Sequence, residues 1–413
     1  MNILMVNWTW FPSGGDWTYI ENMTKIYQDH SHQVIPFSMH HEQNMPTPYQ
    51  KYFVKHINYR AINQKPKLTD SLKVLTKSIY SKEAVKNITE LLQKESIDLV
   101  HLNLIHHYLT PAIIKPIKEA GIPIIWTLHD YTILCPEGTF FSNNQVCEDC
   151  KVGKFYQATI HKCKKQSTLA SLVATLDNYS QHFLNFYDDV DYFICPSKFV
   201  YQKFLDFGFQ TAKLHHIYHS YDLRDFKLKA KANDVQNTKP FIVFVGRLET
   251  YKGVWTLLKA MKSCKNVALK IIGTGSLEED LKAFAQSEGL NHVSFEGKKP
   301  KEEVLNIIRQ SEFLICPSEW YEVFGFILAE AMLMEKPVIG SRIGAIPEMV
   351  IDGKTGFLFS HGNERELAEK INILYQDKAL AKKMGKQAAV LINEISDPSH
   401  YYQQLKKVVP ILT

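Results

Sequence analysis

Residues 318–341 read SEWYEVFGFILAEAMLMEKPVIGS. The stretch opens as a loop, continues as a helix and closes on a short apolar strand, one unit of an alternating α/β fold. Two glutamates stand eight residues apart in it. Glu322 lies in the loop, within Glu-Val-Phe-Gly, and Glu330 lies two turns into the helix that the loop opens. This arrangement aims one carboxylate and several free helix N–H groups at a single small volume, which can hold a sugar's hydroxyls and a nucleotide's phosphates together. Ile327, Leu328, Ala331 and Met332 flank Glu330. A buried, engaged carboxylate is therefore expected there rather than an exposed helix glutamate.

Outward from this stretch, short apolar runs alternate with longer amphipathic ones. Strands are expected at 2–6, 33–38, 97–102, 123–128 and 192–195, with helices at 16–30, 81–94 and 110–120. The alternation predicts a mostly parallel sheet covered on both faces. It restarts after the polar stretch 234–240, which follows a basic run at 227–231 and reads as a linker. Further strands are expected at 241–245, 268–272, 293–295, 313–316, 337–339 and 356–359. The organisation that follows is a domain over 1–222 with an insertion at 131–170, a linker at 223–239 and a second domain over 240–396. An amphipathic segment at 397–413 is expected to cross back to the first domain. An internal echo supports two similar halves: Tyr192-Phe193-Ile194-Cys195-Pro196-Ser197 recurs as Phe313-Leu314-Ile315-Cys316-Pro317-Ser318. Each reads as a buried strand stopped by proline and followed by a helix-capping serine.

Size and composition set the bounds. A chain of 413 residues is too long for one ordinary core. Its 45% hydrophobic and 22% charged residues are those of a globular protein. No run of eighteen apolar residues predicts a membrane span. The opening Met1-Asn2-Ile3-Leu4-Met5-Val6-Asn7 lacks a basic region and reads as a first buried strand, not a signal peptide. A cytoplasmic address is expected. The mild net charge of +5 argues against a nucleic-acid partner. It is compatible with anionic small substrates and with peripheral attachment at the inner face of the plasma membrane. Seven cysteines, an odd number, argue against a disulfide framework.

The run 241–253 reads FIVFVGRLETYKG. Gly246 lets the backbone turn after a buried strand, and Arg247 and Lys252 then converge at the strand's carboxyl end, where open α/β sheets bind ligands. Arginine offers phosphate a planar fork and lysine a point charge. Gly273 and Gly275 follow the next strand. Gly-x-Gly is needed by tight turns in general, and in this company it fits a loop over which a base or ribose lies. Glu330 suits the ribose, because a carboxylate accepts from two vicinal hydroxyls. Glu322 suits the sugar ring, and the Phe324-Gly325 backbone can approach sugar and phosphate closely.

The loop after the first strand is rich in aromatics: Trp8, Trp10 and Phe11, then Trp17 and Tyr19. They can stack on sugars, sit at a membrane interface or simply pack beneath the loop. His129 follows a buried strand and can orient a hydroxyl. Cys135, Cys147, Cys150 and Cys163 form a compact cluster of spacing C-x11-C-x2-C-x12-C. That spacing can close a tetrahedral thiolate site for structural Zn2+, with free thiols, or a disulfide or redox pair, as the other readings. Lys151, Lys154, Lys162, Lys164 and Lys165 surround it. They can offset thiolate charge, face an anionic acceptor or form a solvated loop. Cys195 and Cys316 are expected in the core.

Together these motifs resemble the retaining GT-B glycosyltransferases of the fourth family, which includes bacterial capsule, O-antigen and lipid-glycan enzymes. The resemblance rests on Phe244-Val245-Gly246-Arg247-Leu248 with Lys252-Gly253, on Gly273-Thr274-Gly275 and on the Glu322/Glu330 pair. It extends through Ile343-Gly344-Ala345-Ile346-Pro347-Glu348 and Asp352-Gly353-Lys354-Thr355-Gly356-Phe357. In the first domain Ser13-Gly14-Gly15 is similar to the family's glycine loop, and Thr127-Leu128-His129-Asp130-Tyr131 to its His-Asp motif. One departure is His219-Ser220-Tyr221-Asp222, where family members often carry Asn-Gly before the aspartate.

The resemblance implies two Rossmann-like domains facing a cleft, with a C-terminal helix crossing back to the first. It implies a UDP- or GDP-sugar donor bound mainly by the second domain, and a glycan or lipid-linked glycan acceptor entering from the first. Anomeric configuration would be kept and no catalytic metal needed, since Arg247, Lys252 and helix N-termini neutralise the departing diphosphate. The implied catalytic set is Glu322, His129, Arg247 and Lys252. Gly14, Gly15, Gly246, Gly273, Gly275, Phe324, Gly325 and Glu330 are the implied donor contacts. A sugar-nucleotide epimerase, a phosphorylase or a non-catalytic partner protein on the same scaffold are the alternatives. The Gly-Arg-Leu and Glu-x7-Glu combination argues against the first two, and the intact Arg247, Lys252, Glu322 and Glu330 against the third.

Overall fold

The computed structural model describes residues 1–56, 79–106, 108–222 and 239–413. The expected linker and its basic run lie outside the described residues, apart from the linker's last position. The described chain forms two compact units. One comprises Met1–Asn143, Cys147–His219 and Tyr401–Thr413; the other comprises Asn144–Val146 and Ser220–His400.

The first unit is built on strands β1 (Asn2–Val6), β2 (Gln33–Phe37), β3 (Leu99–Leu102), β4 (Ile124–Thr127), β7 (Tyr192–Cys195) and β8 (Leu214–His216). The short strands β5 (Phe141–Ser142) and β6 (Gln145–Val146) form a separate two-stranded sheet. The main order is β2-β1-β3-β4-β7-β8, and every neighbouring pair is parallel. Central strands of such a sheet are covered on both faces, which is why they read as unbroken apolar runs. The strand β8 escaped the sequence reading because Leu-His-His is short and mostly polar.

The second unit repeats the plan with β9 (Phe241–Val245), β10 (Ala268–Ile272), β11 (Val293–Gly297), β12 (Leu314–Cys316), β13 (Val338–Ser341) and β14 (Gly356–Phe359). Its order is β11-β10-β9-β12-β13-β14, again parallel throughout. This is the doubly wound 3-2-1-4-5-6 order, whose direction reverses between β9 and β12. The loops leaving those two strands diverge there and open a crevice at the carboxyl edge. The core of this unit includes Ile242, Leu257, Phe313 and Ile339. Cys195, Cys264 and Cys316 are all buried.

The internal echo holds for the strands but not for the serines. Ser197 caps the helix Lys198–Asp206, its side chain accepting from the Val200 N–H at 3.2 Å. Ser318 caps nothing: the next helix starts only at Phe326, and the Ser318 hydroxyl donates to Glu322 instead. With that start, Glu330 stands in the helix's second turn, nearer its N-terminus than expected.

The helix Pro398–Val408 carries its aromatic residues into the first unit. Tyr401 is buried, and its hydroxyl lies 2.8 Å from that of Tyr19 in the helix Gly15–Asp29. Tyr19 also meets the Thr127 hydroxyl at 2.9 Å, and Tyr402 stacks on His30 at 3.6 Å. The substitution Tyr401→Phe removes one buried hydroxyl while Tyr19 keeps Thr127. We expect it to cost about 0.5–1.5 kcal/mol of stability, measurable by urea unfolding; an unchanged midpoint would show that this contact carries no weight.

Candidate functional site

Four loops of the second unit meet at the carboxyl edge of its sheet. The loop after β9 carries Gly246, Arg247 and Lys252, and the loop after β10 carries Gly273 and Gly275. The loop after β12 carries Ser318, Trp320, Glu322 and Phe324, and that after β13 carries Gly344. Backbone bonds lock them together: Leu248 N–H donates to Thr274 O (3.0 Å), Glu319 N–H to Tyr251 O (2.9 Å) and Ala345 N–H to Glu322 O (2.9 Å). Gly273 holds φ near 137°, and a Cβ there would come within 1.9 Å of Gly246 O. Gly344 holds φ near 58°, and a Cβ there would sit 2.4 Å from Glu322 N. Their first duty is thus close backbone packing, which only glycine permits. Gly275 packs as closely on Leu248.

Glu322 is buried, 7% exposed. Lys252 Nζ donates to its carboxylate at 2.6 Å and Ser318 Oγ at 2.7 Å. Burial acts to raise the Glu322 carboxyl; Lys252 and Ser318 outweigh it and hold the group below the usual carboxylate range. Lys252 also lies 4.9 Å from the Trp320 ring centroid. Arg247 is exposed, its guanidinium 5.5 Å from the Tyr251 ring centroid. Lys252 is half-buried and Glu322 buried, so removing the lysine leaves a buried charge uncompensated, at a cost of up to about 3–5 kcal/mol.

Glu330 is 1% exposed and pairs with Lys301 through Oε1. Its Oε2 is buried and meets no hydrogen-bond partner among the described residues. A buried carboxylate oxygen without a donor is costly unless a ligand supplies one. Phe324 is buried against Phe326, and Gly325 heads the helix Phe326–Leu333. Sequence reading missed Ser318 and Lys301 as partners of the two glutamates. Only the repeated Cys-Pro-Ser hinted at the first.

In the first unit, Gly14 and Gly15 form the start of the helix Gly15–Asp29. His129 Nε2 donates to Asn103 Oδ1 at 2.9 Å. Its ring meets Tyr19 edge-on at 4.7 Å and lies 5.3 Å from His219. His101 sits beneath, with Nε2 2.8 Å from the Thr127 hydroxyl and Nδ1 2.8 Å from the Tyr27 hydroxyl. Burial pushes His101 and His129 down to about 3 and His219 well below the ordinary value. All three rings are therefore neutral near pH 7. The aromatic loop mostly packs: Trp10 and Trp17 are buried edge to face at 5.5 Å, while Trp8 stacks on Tyr108 and Phe11 on His41.

All four cysteines of the insertion are free thiols, Cys135 and Cys150 buried, Cys147 and Cys163 half-buried. Among the described residues the metal-type donors that converge within 4.8 Å are those of Cys147, Asp149 and His161; the four sulfurs do not close as one group of that tightness. Cys147 Sγ lies 3.8 Å from His161 Nδ1. Burial raises the Cys150 thiol, and its neighbours Cys135, Cys163 and Cys147 raise it further. A spacing rule applied to cysteines alone could not find His161.

Two parallel doubly wound units, one carrying a cation–carboxylate crevice at its switch point, are the layout of the GT-B fold. The family model described as Glycosyltransferase Family 4 matches residues 13–225, and the model described as Glycosyl transferases group 1 matches 225–390. The chain belongs to these glycosyltransferases. It is 26% identical over 390 residues to an uncharacterized glycosyltransferase of Methanocaldococcus jannaschii, covering 93% of this chain and 91% of the relative. The D-rhamnosyltransferase WbpZ of Pseudomonas aeruginosa is 31% identical over 150 residues, 36% of this chain and 39% of that protein. Sucrose-phosphate synthase from Thermosynechococcus elongatus shares the fold with a TM-score of 0.72 at 17% identity, covering 100% of this chain and 99% of its own. Anabaena HepE, solved with UDP and glucose, gives 0.65 at 18% identity, covering 99% of each chain.

The neutral histidines make stability depend on acidity. The unfolded chain binds protons on these rings near pH 6.5, whereas folded His101 and His129 resist protonation down to about 3. Their contribution is complete above pH 6.5 and is lost as pH falls through that window, by up to about 1.4 kcal/mol per histidine per pH unit. We expect the urea midpoint to fall steadily on acidification across this range. A flat profile would contradict neutral burial.

Proposed function

We propose that the chain is a retaining hexosyltransferase that moves a sugar from a UDP- or GDP-sugar to a glycan or lipid-linked glycan acceptor in cell-surface polysaccharide biosynthesis. The observation that carries this reading is the buried Glu322 held ionised by Lys252 at 2.6 Å, at the switch-point edge where α/β sheets bind nucleotides. Lys252 and Arg247 supply positive charge for the leaving diphosphate, so the chemistry runs without a divalent cation. Glu322 supports the positive charge that develops on the sugar ring in an oxocarbenium-like transition state. The leaving phosphate takes the acceptor's proton as the new bond forms on the same face. The unpartnered Glu330 Oε2 suits a ribose hydroxyl. His129, neutral and held by Asn103, is the group of the first unit suited to orienting a hydroxyl.

The insertion carries a separate proposal, a structural Zn2+ held by four donors drawn from the thiolates of Cys135, Cys147, Cys150 and Cys163 and from His161, which adjoins Cys147. The sulfur and nitrogen donors suit zinc. The backbone N–H groups of Glu137, Gly138 and Phe140 address the Cys135 sulfur, and that of Asp149 addresses Cys147. The local core is small, with Cys150, Phe155 and Ala158 packed against Cys163, and segments with so little apolar burial gain most from a metal staple.

In a transfer assay with the matching donor, Arg247→Ala and Lys252→Ala are each expected to lower the rate about 10²–10³-fold. Glu322→Gln should do likewise, product NMR should show the donor's anomeric configuration, and added Mg2+ should not change the rate. Undiminished transfer by Glu322→Gln would reject the assignment. Thermal shift with UDP against GDP selects the base, since a ligand at 100 times its Kd stabilises by about 2.7 kcal/mol. For the insertion, elemental analysis of the purified protein should find about one zinc per chain, lost in Cys150→Ser. Metal-free, fully folded protein would overturn the zinc proposal.

A further inference from the structure

The helix Thr168–Phe183 is inside out. Its buried face is polar: Ser171, Thr175, Asp177, Asn178 and Gln181 all point inward. They are not misplaced, because each is hydrogen-bonded. Ser171 Oγ accepts from Lys164 N–H at 2.9 Å, Thr175 meets the Thr159 hydroxyl at 2.9 Å, and Gln181 bonds both Asp177 and the Tyr187 hydroxyl. Asn178 donates to Ala174 O at 3.2 Å. Turning the helix over would strand these groups.

Its outer face is apolar. Leu169, Leu172, Leu176, Tyr179 and Phe183 recur at spacings of three and four and are all exposed, Leu169 by 52% and Phe183 by 85%. The stripe continues onto the helix Tyr156–Ile160, where Tyr156 N–H donates to the Tyr179 hydroxyl and Ile160 is 63% exposed. One-sided apolar faces of this length on an otherwise well-packed unit mark an interaction surface.

The charge around the stripe selects its partner. Lys151, Lys154, Lys162 and Lys165 are exposed in the segment that frames it, while Lys164 faces Glu137. Within the segment 151–187 the one acidic residue is Asp177, which is buried; Asp149 and Asp188 flank the segment at its two ends. Large aliphatic and aromatic side chains rimmed by lysines fit the headgroup–acyl boundary of an anionic bilayer, where a helix lies in the plane rather than across it. No helix among the described residues is long and apolar enough to cross a membrane. An adjoining cavity of about 390 Å3, lined by Val152, Phe155, Phe193, Phe207 and Phe209 among others, adds apolar surface beside the same lobe.

We propose that the outer face of the helix Thr168–Phe183, with its lysine rim, docks the protein on anionic lipid bilayers. The proposal deepens the reading of a lipid-linked acceptor but is tested without donor or transfer, so the two can fail separately. Full-length protein is sedimented with vesicles of phosphatidylcholine alone and of phosphatidylcholine containing phosphatidylglycerol. We expect binding to the anionic vesicles only, weakened by salt. A variant with all four exposed rim lysines changed to glutamine should lose roughly tenfold or more in vesicle affinity. The double substitution Leu176→Ser and Phe183→Ser, at exposed positions, should weaken binding while leaving the thermal midpoint unchanged. Equal binding to both vesicle types, or no effect of either variant, would overturn the proposal. So would light scattering that shows a dimer dispersed by Leu176→Arg, which would assign the face to a second copy of the chain.

Discussion

A carboxylate cannot stay ionised inside a protein unless a cation or strong donors hold it there. In the second unit that constraint is met at one point, where Lys252 and Ser318 hold Glu322 at 2.6 and 2.7 Å. The pair ties the loop after β9 to the loop after β12, across the strands between which the sheet order reverses. Gly344 lets a third loop press on the Glu322 backbone. The charge arrangement and the backbone packing therefore depend on each other. Moving the loop after β9 or the loop after β12 would leave Glu322 buried without its cation.

The first unit solves the opposite problem. It buries titratable rings by keeping them neutral: His101, His129 and His219 are all held below their ordinary range. Hydroxyls of Tyr19, Tyr27 and Thr127 connect part of this group, and Tyr401 from the C-terminal helix joins it. The position where the chain departs from the usual family pattern, His219, is filled by a ring lying 4.5 Å from Tyr19. That ring also lies 5.3 Å from His129, within the same cluster.

Much of the fold could be read from the chain. Buried parallel strands are continuous apolar runs, so Asn2–Val6, Tyr192–Cys195, Phe241–Val245 and Gly356–Phe359 stand where the apolar pattern puts them. Patterns fail where the residue type is compatible with two environments. Ser197 and Ser318 follow the same strand motif, yet one caps a helix and the other donates to a carboxylate. The helix Thr168–Phe183 has a clear apolar stripe, which periodicity assigns to a core. The structure turns that stripe outward, because each residue of its polar face finds a hydrogen-bond partner inside. His161 joins Cys147 from a turn that cysteine spacing does not address.

What the sequence determined on its own was the chemistry available at each strand end: two glutamates eight apart, an arginine and a lysine after a buried strand, and glycines where loops must pass closely. Periodicity and backbone sterics are local, so those inferences needed no three-dimensional information. Only the tertiary structure decided which charge meets which, that Lys252 takes Glu322 and Lys301 takes Glu330, and which helix face is buried. Those outcomes depend on contacts between residues as much as 70 positions apart, and on the rule that buried polar groups go where their partners are.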